Sequence, residues 1–111
     1  MYRDGLGLEL LGGFRDHEGF DGAMLGRRGL PYHCEFTNEK GRHIEIAPTD
    51  EDLIVFYIPD QQAWKEACTQ AETAGFRQVA SHNPYWERQG QTFEDLDGYR
   101  IVLQNARWPI E

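Results

Sequence analysis

Cysteine is scarce in this sequence: two in 111 residues, Cys34 and Cys68. Neither belongs to a Cys-x-x-Cys pair or to a Cys/His spacing suited to zinc, which excludes a disulfide-stapled scaffold and a structural zinc site. Both lie among apolar neighbours, so two buried thiols in a reducing compartment are expected. Long hydrophobic runs are missing too. The longest, LIVFYIP from Leu53, is far shorter than the roughly 20 residues that cross a bilayer, and MYRDGLG at the start has no apolar h-region. A cytoplasmic protein with no membrane partner is expected. Basic charge is in deficit, with 11 Lys and Arg against 19 Asp and Glu, net −8. Gripping a phosphate backbone needs a basic face, so nucleic acid is not expected as a partner; an acidic surface more often serves solubility than function, and a cationic ligand is the sharper alternative. No Gly-x-Gly-x-x-Gly follows a strand, no P-loop occurs, and no Ser or Cys sits in a nucleophile-elbow or Cys-His context.

Apolar residues make up 40% of the chain and aromatic residues 13%, enough for one domain with a modest core. DLIVFYIPD from Asp52 reads as a strand, β-branched and aromatic, ended by Pro59 and Asp60. Asp60 is a suitable N-cap for a helix over QQAWKEACTQAETA, in which Trp64, Ala67, Cys68 and Ala71 recur on one face. Gly75 stops it. FRQVAS is then a short strand, HNPYWERQG a loop, QTFEDLDG a strand entering an Asp-Gly turn, and YRIVLQN the last strand. The turn EDLDG lacks the further ligands of a calcium loop.

Two stretches recur. YHCEFTN (32–38) and YRIVLQN (99–105) share the frame Tyr-x-x-x-(Phe/Leu)-x-Asn, and GLELL from Gly7 resembles GFRQV from Gly75. The shifts are 67 and 68, so one single-residue gap reconciles both, in the same order. This points to a duplicated unit. The second copy has a strand and helix, 53–74, ahead of Gly75. The first has six residues ahead of Gly7, and MYRDGL reads as the last turn of a helix.

With these elements in place, the chain resembles the vicinal oxygen chelate superfamily, which includes glyoxalases, bleomycin-resistance proteins, fosfomycin-resistance enzymes and extradiol dioxygenases. YRDGLGLEL, HCEFT, VFYIPD, AGFRQV and TFEDLDGYRIVL carry the likeness. The resemblance implies an α+β fold of two βαβββ modules forming a cup-shaped open barrel. Here 1–111 is one domain: a first module over 1–50 lacking its opening strand and most of its helix, and a complete second module over 52–111. It also implies that any ligand sits in the cup, where metal-bearing members place His, Gln or Glu on the first and last strands of each module.

Strand alternation assigns His33, Glu35 and Thr37 to the cup face, and Tyr32, Cys34 and Phe36 to the other, under a helix. The resemblance matches Glu35 to a metal-binding Glu. The equivalent positions in the second module hold Leu53 and Val102, which cannot ligate, with Val55 and Tyr57 beside the first and Arg100 and Gln104 flanking the second. No cofactor is expected on this count. A divalent metal remains possible through Glu35 and His33, a poor two-donor set, and no catalytic residue is assigned. His17, His43 and His82 are expected in loops. The expected ligand-binding residues are His33, Glu35, Tyr57, Tyr85, Trp86, Arg100 and Gln104. Tyr57, Tyr85, Trp86 and Trp108 offer aromatic faces to a planar ligand, and Glu35 a counter-charge to a cation. Each aromatic is also an ordinary candidate for core packing.

Three functions fit. One is a metal-free small-molecule binder of the bleomycin-resistance type. A second is a lyase, dioxygenase or thiol transferase built on Glu35 with donors from a partner chain. The third is an interaction module without a small ligand. An uncovered edge on strand 32–38 further leads to the expectation of a homodimer.

Overall fold

The computed structural model describes residues 1–108 and shows an α+β fold with two small open sheets and few helices. The chain runs α1 (Tyr2–Leu6), β1 (Glu9–His17), β2 (Phe20–Gly26), β3 (His33–Glu39), β4 (Leu53–Tyr57), α2 (Gln61–Thr73), β5 (Arg77–Val79), α3 (Tyr85–Arg88), β6 (Gly90–Glu94) and β7 (Arg100–Gln104). One sheet has the order β1-β2-β3 and the other β4-β7-β6-β5. Every pairing is antiparallel except β4 with β7, which is parallel because α2 carries the chain back across the sheet. No helix among the described residues is long and apolar enough to cross a membrane.

The core lies in the second half. Asp60 Oδ2 accepts from the Ala63 N–H at 2.8 Å and starts α2. The helix lays Cys68 and Ala71 on Phe76, Phe93, Ile101 and Leu103, with Trp64 and Ala67 packed at the margin. Ile101 and Leu103 are 0% and 1% exposed. Trp64 Nε1 donates to the Leu103 carbonyl at 2.8 Å, pinning helix to sheet. Asn105 Nδ2 donates to the carbonyls of Ile58 and Pro59 at 3.0 and 3.1 Å, tying the chain beyond β4 to the end of β7.

The pairing of the first sheet is repeated in the second at the shifts seen in the sequence. Glu9 opposes Gly26 as Arg77 opposes Glu94, and Leu10 opposes Leu25 as Gln78 opposes Phe93. Gly22 opposes Thr37, and Met24 opposes Glu35, as Gly90 opposes Gln104 and Thr92 opposes Val102. Gly7 after α1 and Gly75 after α2 both hold positive φ, 66° and 103°, where a side chain is strained.

Three local expectations need correction. Phe36 and Tyr32 are 40% and 54% exposed rather than covered, although Tyr2 of α1 packs on Phe36, and Cys34 is half-buried where a buried thiol was expected. Residues 85–88 form a helical turn, α3, inside the expected loop, begun by the turn at Asn83, whose Oδ1 accepts from the Tyr85 N–H at 3.0 Å. His17 ends β1 instead of lying in a loop.

Candidate functional site: a cleft between β3 and β4

β3 and β4 are the last strands of their sheets on the sides that approach each other, and between them lies a cleft of about 1000 Å³. One wall carries Cys34, Glu35 and Phe36, the other Leu53, Ile54 and Phe56, and the 95–100 turn closes one end.

Alternation along β3 puts His33, Glu35 and Thr37 on one face. His33 Nε2 lies 3.5 Å from Glu35 Oε1, and both side chains are about half exposed. In the second sheet, Arg100, Val102 and Gln104 of β7 stand directly beside Leu53, Val55 and Tyr57 of β4, so the six share a face. Val102 is fully buried, and Ser81 Oγ meets Thr92 Oγ1 at 2.6 Å on its neighbour strand, where the 81–88 segment lies over the sheet.

Arg100 is the most connected polar group of this face. Its Nε and Nη2 donate to Glu94 Oε1 at 3.2 and 3.1 Å, and Nη2 lies 3.5 Å from Asp50 Oδ1. Glu94 also accepts from Arg77 Nη2 at 2.6 Å. The hydrogen bond from Arg77, joined by that from Arg100, holds the Glu94 carboxyl below the usual range, against the opposing pull of burial. Asp50 Oδ2 is 3.7 Å from His82 Nδ1. Arg100 is therefore already neutralised. Glu35, Asp52, Asp95 and Asp97 line the same cleft, leaving its rim net acidic.

Of the residues expected to bind ligand, the structure brings Glu35 and Arg100 to one cleft, with His33 beside Glu35. It separates the others. Tyr57 lines a different hollow, against α2, and packs on Trp108 at 5.6 Å between ring centroids. Tyr85 and Trp86 pack edge-to-face at 4.9 Å, with the Arg88 guanidinium 6.0 Å from the Tyr85 ring. Gln104 is buried, and among the described residues its Oε1 has no hydrogen-bond partner. Sequence reasoning missed Asp50, Asp52, Glu94, Asp95 and Asp97. The Asp-Gly turn fixes Glu94 opposite Arg100, so that pair was there to be found; Asp50 comes from another element and left no local signal.

Metal chemistry fits these residues poorly. His33 and Glu35 offer two donors, and Leu53 and Val102 offer none. Among the described residues no three His, Cys, Asp or Glu side chains gather where they could hold a metal ion. No step is derived through a metal.

Comparison with known proteins places this geometry. The YycE-like C-terminal domain matches residues 51–105 and the YycE-like N-terminal domain residues 1–37. The YycE protein of Bacillus subtilis (strain 168) is 39% identical over 107 residues, which are 96% of this chain and 77% of that protein. The crystal structure of a B. subtilis YycE protein, described as a putative glyoxalase/fosfomycin resistance protein of unknown function, superimposes with a TM-score of 0.85 at 39% identity over 96% of this chain and 77% of that one. Two more distant structures share the fold. Leishmania major glyoxalase I has a TM-score of 0.62 at 20% identity, covering 95% of this chain and 73% of that one. The fosfomycin resistance protein FosX of Mesorhizobium loti has 0.63 at 11%, covering 96% and 78%.

Proposed function

The chain belongs to the YycE-like family, with the glyoxalase/fosfomycin-resistance fold, and from that premise we propose that it binds a small cationic molecule, apolar over part of its surface, at the mouth of the cleft between β3 and β4. The fold is read as two related halves, and the ligand sits in the gap between their sheets, where β3 and β4 face each other. The observation that carries the proposal is the imbalance at the rim. Four carboxylates, Glu35, Asp52, Asp95 and Asp97, share the cleft with one guanidinium, Arg100, which Glu94 and Asp50 already hold. Behind them the wall is apolar, through Leu53, Ile54, Phe56 and Phe36. A concave site with an apolar wall and a few charged groups suits a small organic ligand, and the unneutralised carboxylates select positive charge. Sequestration of the bleomycin-resistance type is the role such a site would serve.

A thermal-shift screen tests this with matched sets of cationic, neutral and anionic aromatic compounds. Binding to the folded state raises the melting temperature in proportion to ligand concentration over Kd. Cationic members should stabilise the protein, and Glu35→Gln should weaken that effect. Stabilisation by anionic members alone would refute the proposal.

The second reading, a metalloenzyme built on Glu35, has the 3.5 Å approach of His33 to Glu35 in its favour. Two donors make a weak site. Titration calorimetry with zinc or manganese separates the two readings, since a tight site abolished by Glu35→Gln would favour the enzyme.

A further inference from the structure

We infer that the hollow against α2 is a second ligand site, built for an apolar monocarboxylate: a carboxylate held by Arg27, with a hydrocarbon chain laid against β4 and α2. The hollow holds about 550 Å³, within the range of small-molecule sites. Among the described residues Phe56 alone lines both it and the cleft between β3 and β4. Leu6 and Leu8 form one wall, and Ile58 and Ala67 another. Leu103, 1% exposed, lies at the bottom. Leu30 and Tyr32 stand at the mouth, 40% and 54% exposed, two large side chains whose apolar surface a bound chain would take out of water.

Arg27 and Glu66 are the charged residues of this lining. Arg27 Nε donates to the Gly7 carbonyl at 3.0 Å. Gly7 leaves room for the guanidinium, since a Cβ built there would fall 2.8 Å from Arg27 Nη2. The guanidinium is thus seated against the turn after α1, with its outer edge free. Arg3, Arg42, Arg77 and Arg100 each meet a carboxylate. Arg27 meets none among the described residues, and it lies at the one polar end of an apolar hollow.

The free edge of a guanidinium presents parallel N–H groups, which match the two oxygens of a carboxylate. A phosphate site gathers more donors, backbone N–H groups among them. Here the neighbouring amide, Gln70 Nε2, is spent on the Asp4 carbonyl at 2.6 Å. The net charge of −8 opposes an anion only at long range, because salt at 0.1 M screens exposed charges beyond about 10 Å. Glu66 is the local opponent, and its Oε1 accepts from Gln62 Nε2 at 3.2 Å, one turn back along α2. An exposed guanidinium gives modest affinity by itself. The apolar walls supply the rest, and Arg27 sets the ligand's sign and direction.

Calorimetric titration of the full chain with decanoate and with decanol, each below its micelle concentration, tests this. Decanoate should bind about tenfold more tightly than decanol. Arg27→Gln should erase that preference. Glu66→Gln, at an exposed position, should tighten decanoate by about twofold through loss of a repelling charge. Ala63→Trp, which fills the hollow from α2, should abolish decanoate binding. No binding of decanoate at millimolar concentration would overturn the inference, as would equal affinity for decanol. Decanoate affinity unmoved by both Glu66→Gln and Ala63→Trp would place the acid elsewhere and overturn it too. Glu35→Gln, in the other cleft, should leave decanoate binding unaltered, so this reading and that of a cationic ligand fail separately.

Discussion

Tyr2 and Asp95 lie 93 positions apart in the chain, and the Tyr2 hydroxyl donates to Asp95 Oδ2 at 2.6 Å. The same ring packs on Phe36 and Phe76, each at 5.1 Å between centroids, so one side chain joins the first sheet, the main core and the turn before β7. Burial, and then the neighbouring Asp95, push the Tyr2 hydroxyl well above its usual pKa. Because the folded value is raised, the stabilisation is complete below about pH 10 and fades as pH rises toward the folded value. Tyr2→Phe keeps the packing and removes a hydrogen bond to a charged acceptor. It should cost about 1.5 kcal/mol at neutral pH, measured by urea unfolding, and the deficit should narrow in strong alkali.

Glu94 answers two guanidiniums, Arg77 and Arg100. Its folded pKa is lowered, so its contribution to stability is present above about pH 4.5, the ordinary value, and is lost as pH falls through the folded one. Glu94→Gln should destabilise at pH 7, and the difference from the parent should shrink steadily below pH 4.5. A pH series of melting temperatures for both proteins checks the sign.

The two thiols should behave differently. Cys68 is buried on the inner face of α2 and its pKa is raised to about 11, by burial first and then by Glu72. Cys34 is half-buried and opens on the cleft. At pH 8, iodoacetamide should modify Cys34 in the folded protein and leave Cys68 intact until denaturant is added. Peptide mass mapping of the labelled protein decides it.

Gln104 buries an acceptor that finds no donor among the described residues. Met has nearly the same length and no such group, so Gln104→Met should raise stability by about 1 kcal/mol, seen as a melting temperature a few degrees higher. Gly90→Ala should act the other way, since a methyl group there would strike Gln104 Oε1 and meet the carbonyls of Leu103 and Trp86, both at 3.0 Å.

Much of this architecture was legible in the residues. The run from Leu53, the Asp60 cap, the helical spacing of Trp64, Ala67, Cys68 and Ala71, and the Asp-Gly turn each act locally, and each formed the element its chemistry favours. Alternation put Cys34 and Phe36 opposite Glu35 correctly, yet it reports only which way a side chain points. Whether anything lies over it depends on other segments, and the expected cover for Phe36 was not there. The expected site failed to gather for a similar reason. Tyr57 shares the inward face of β4 with Leu53, but its ring is taken up by Trp108. Tyr85 and Trp86 spend their faces on each other. The acidic rim was hidden because Glu35, Asp52 and Asp95 come from three separate parts of the chain.

β4 has a second consequence, for handling the protein. Leu53–Tyr57 is an uncharged run of β-branched and aromatic residues whose outer edge pairs with no strand among the described residues. Glu35 and Glu39 place charges along β3, which deter stacking, whereas β4 carries none. Runs of this composition are the seeds of cross-β fibrils. Concentrated stocks should therefore gain thioflavin fluorescence on standing, and a lysine in place of Ile54, already half in solvent, should keep them clear.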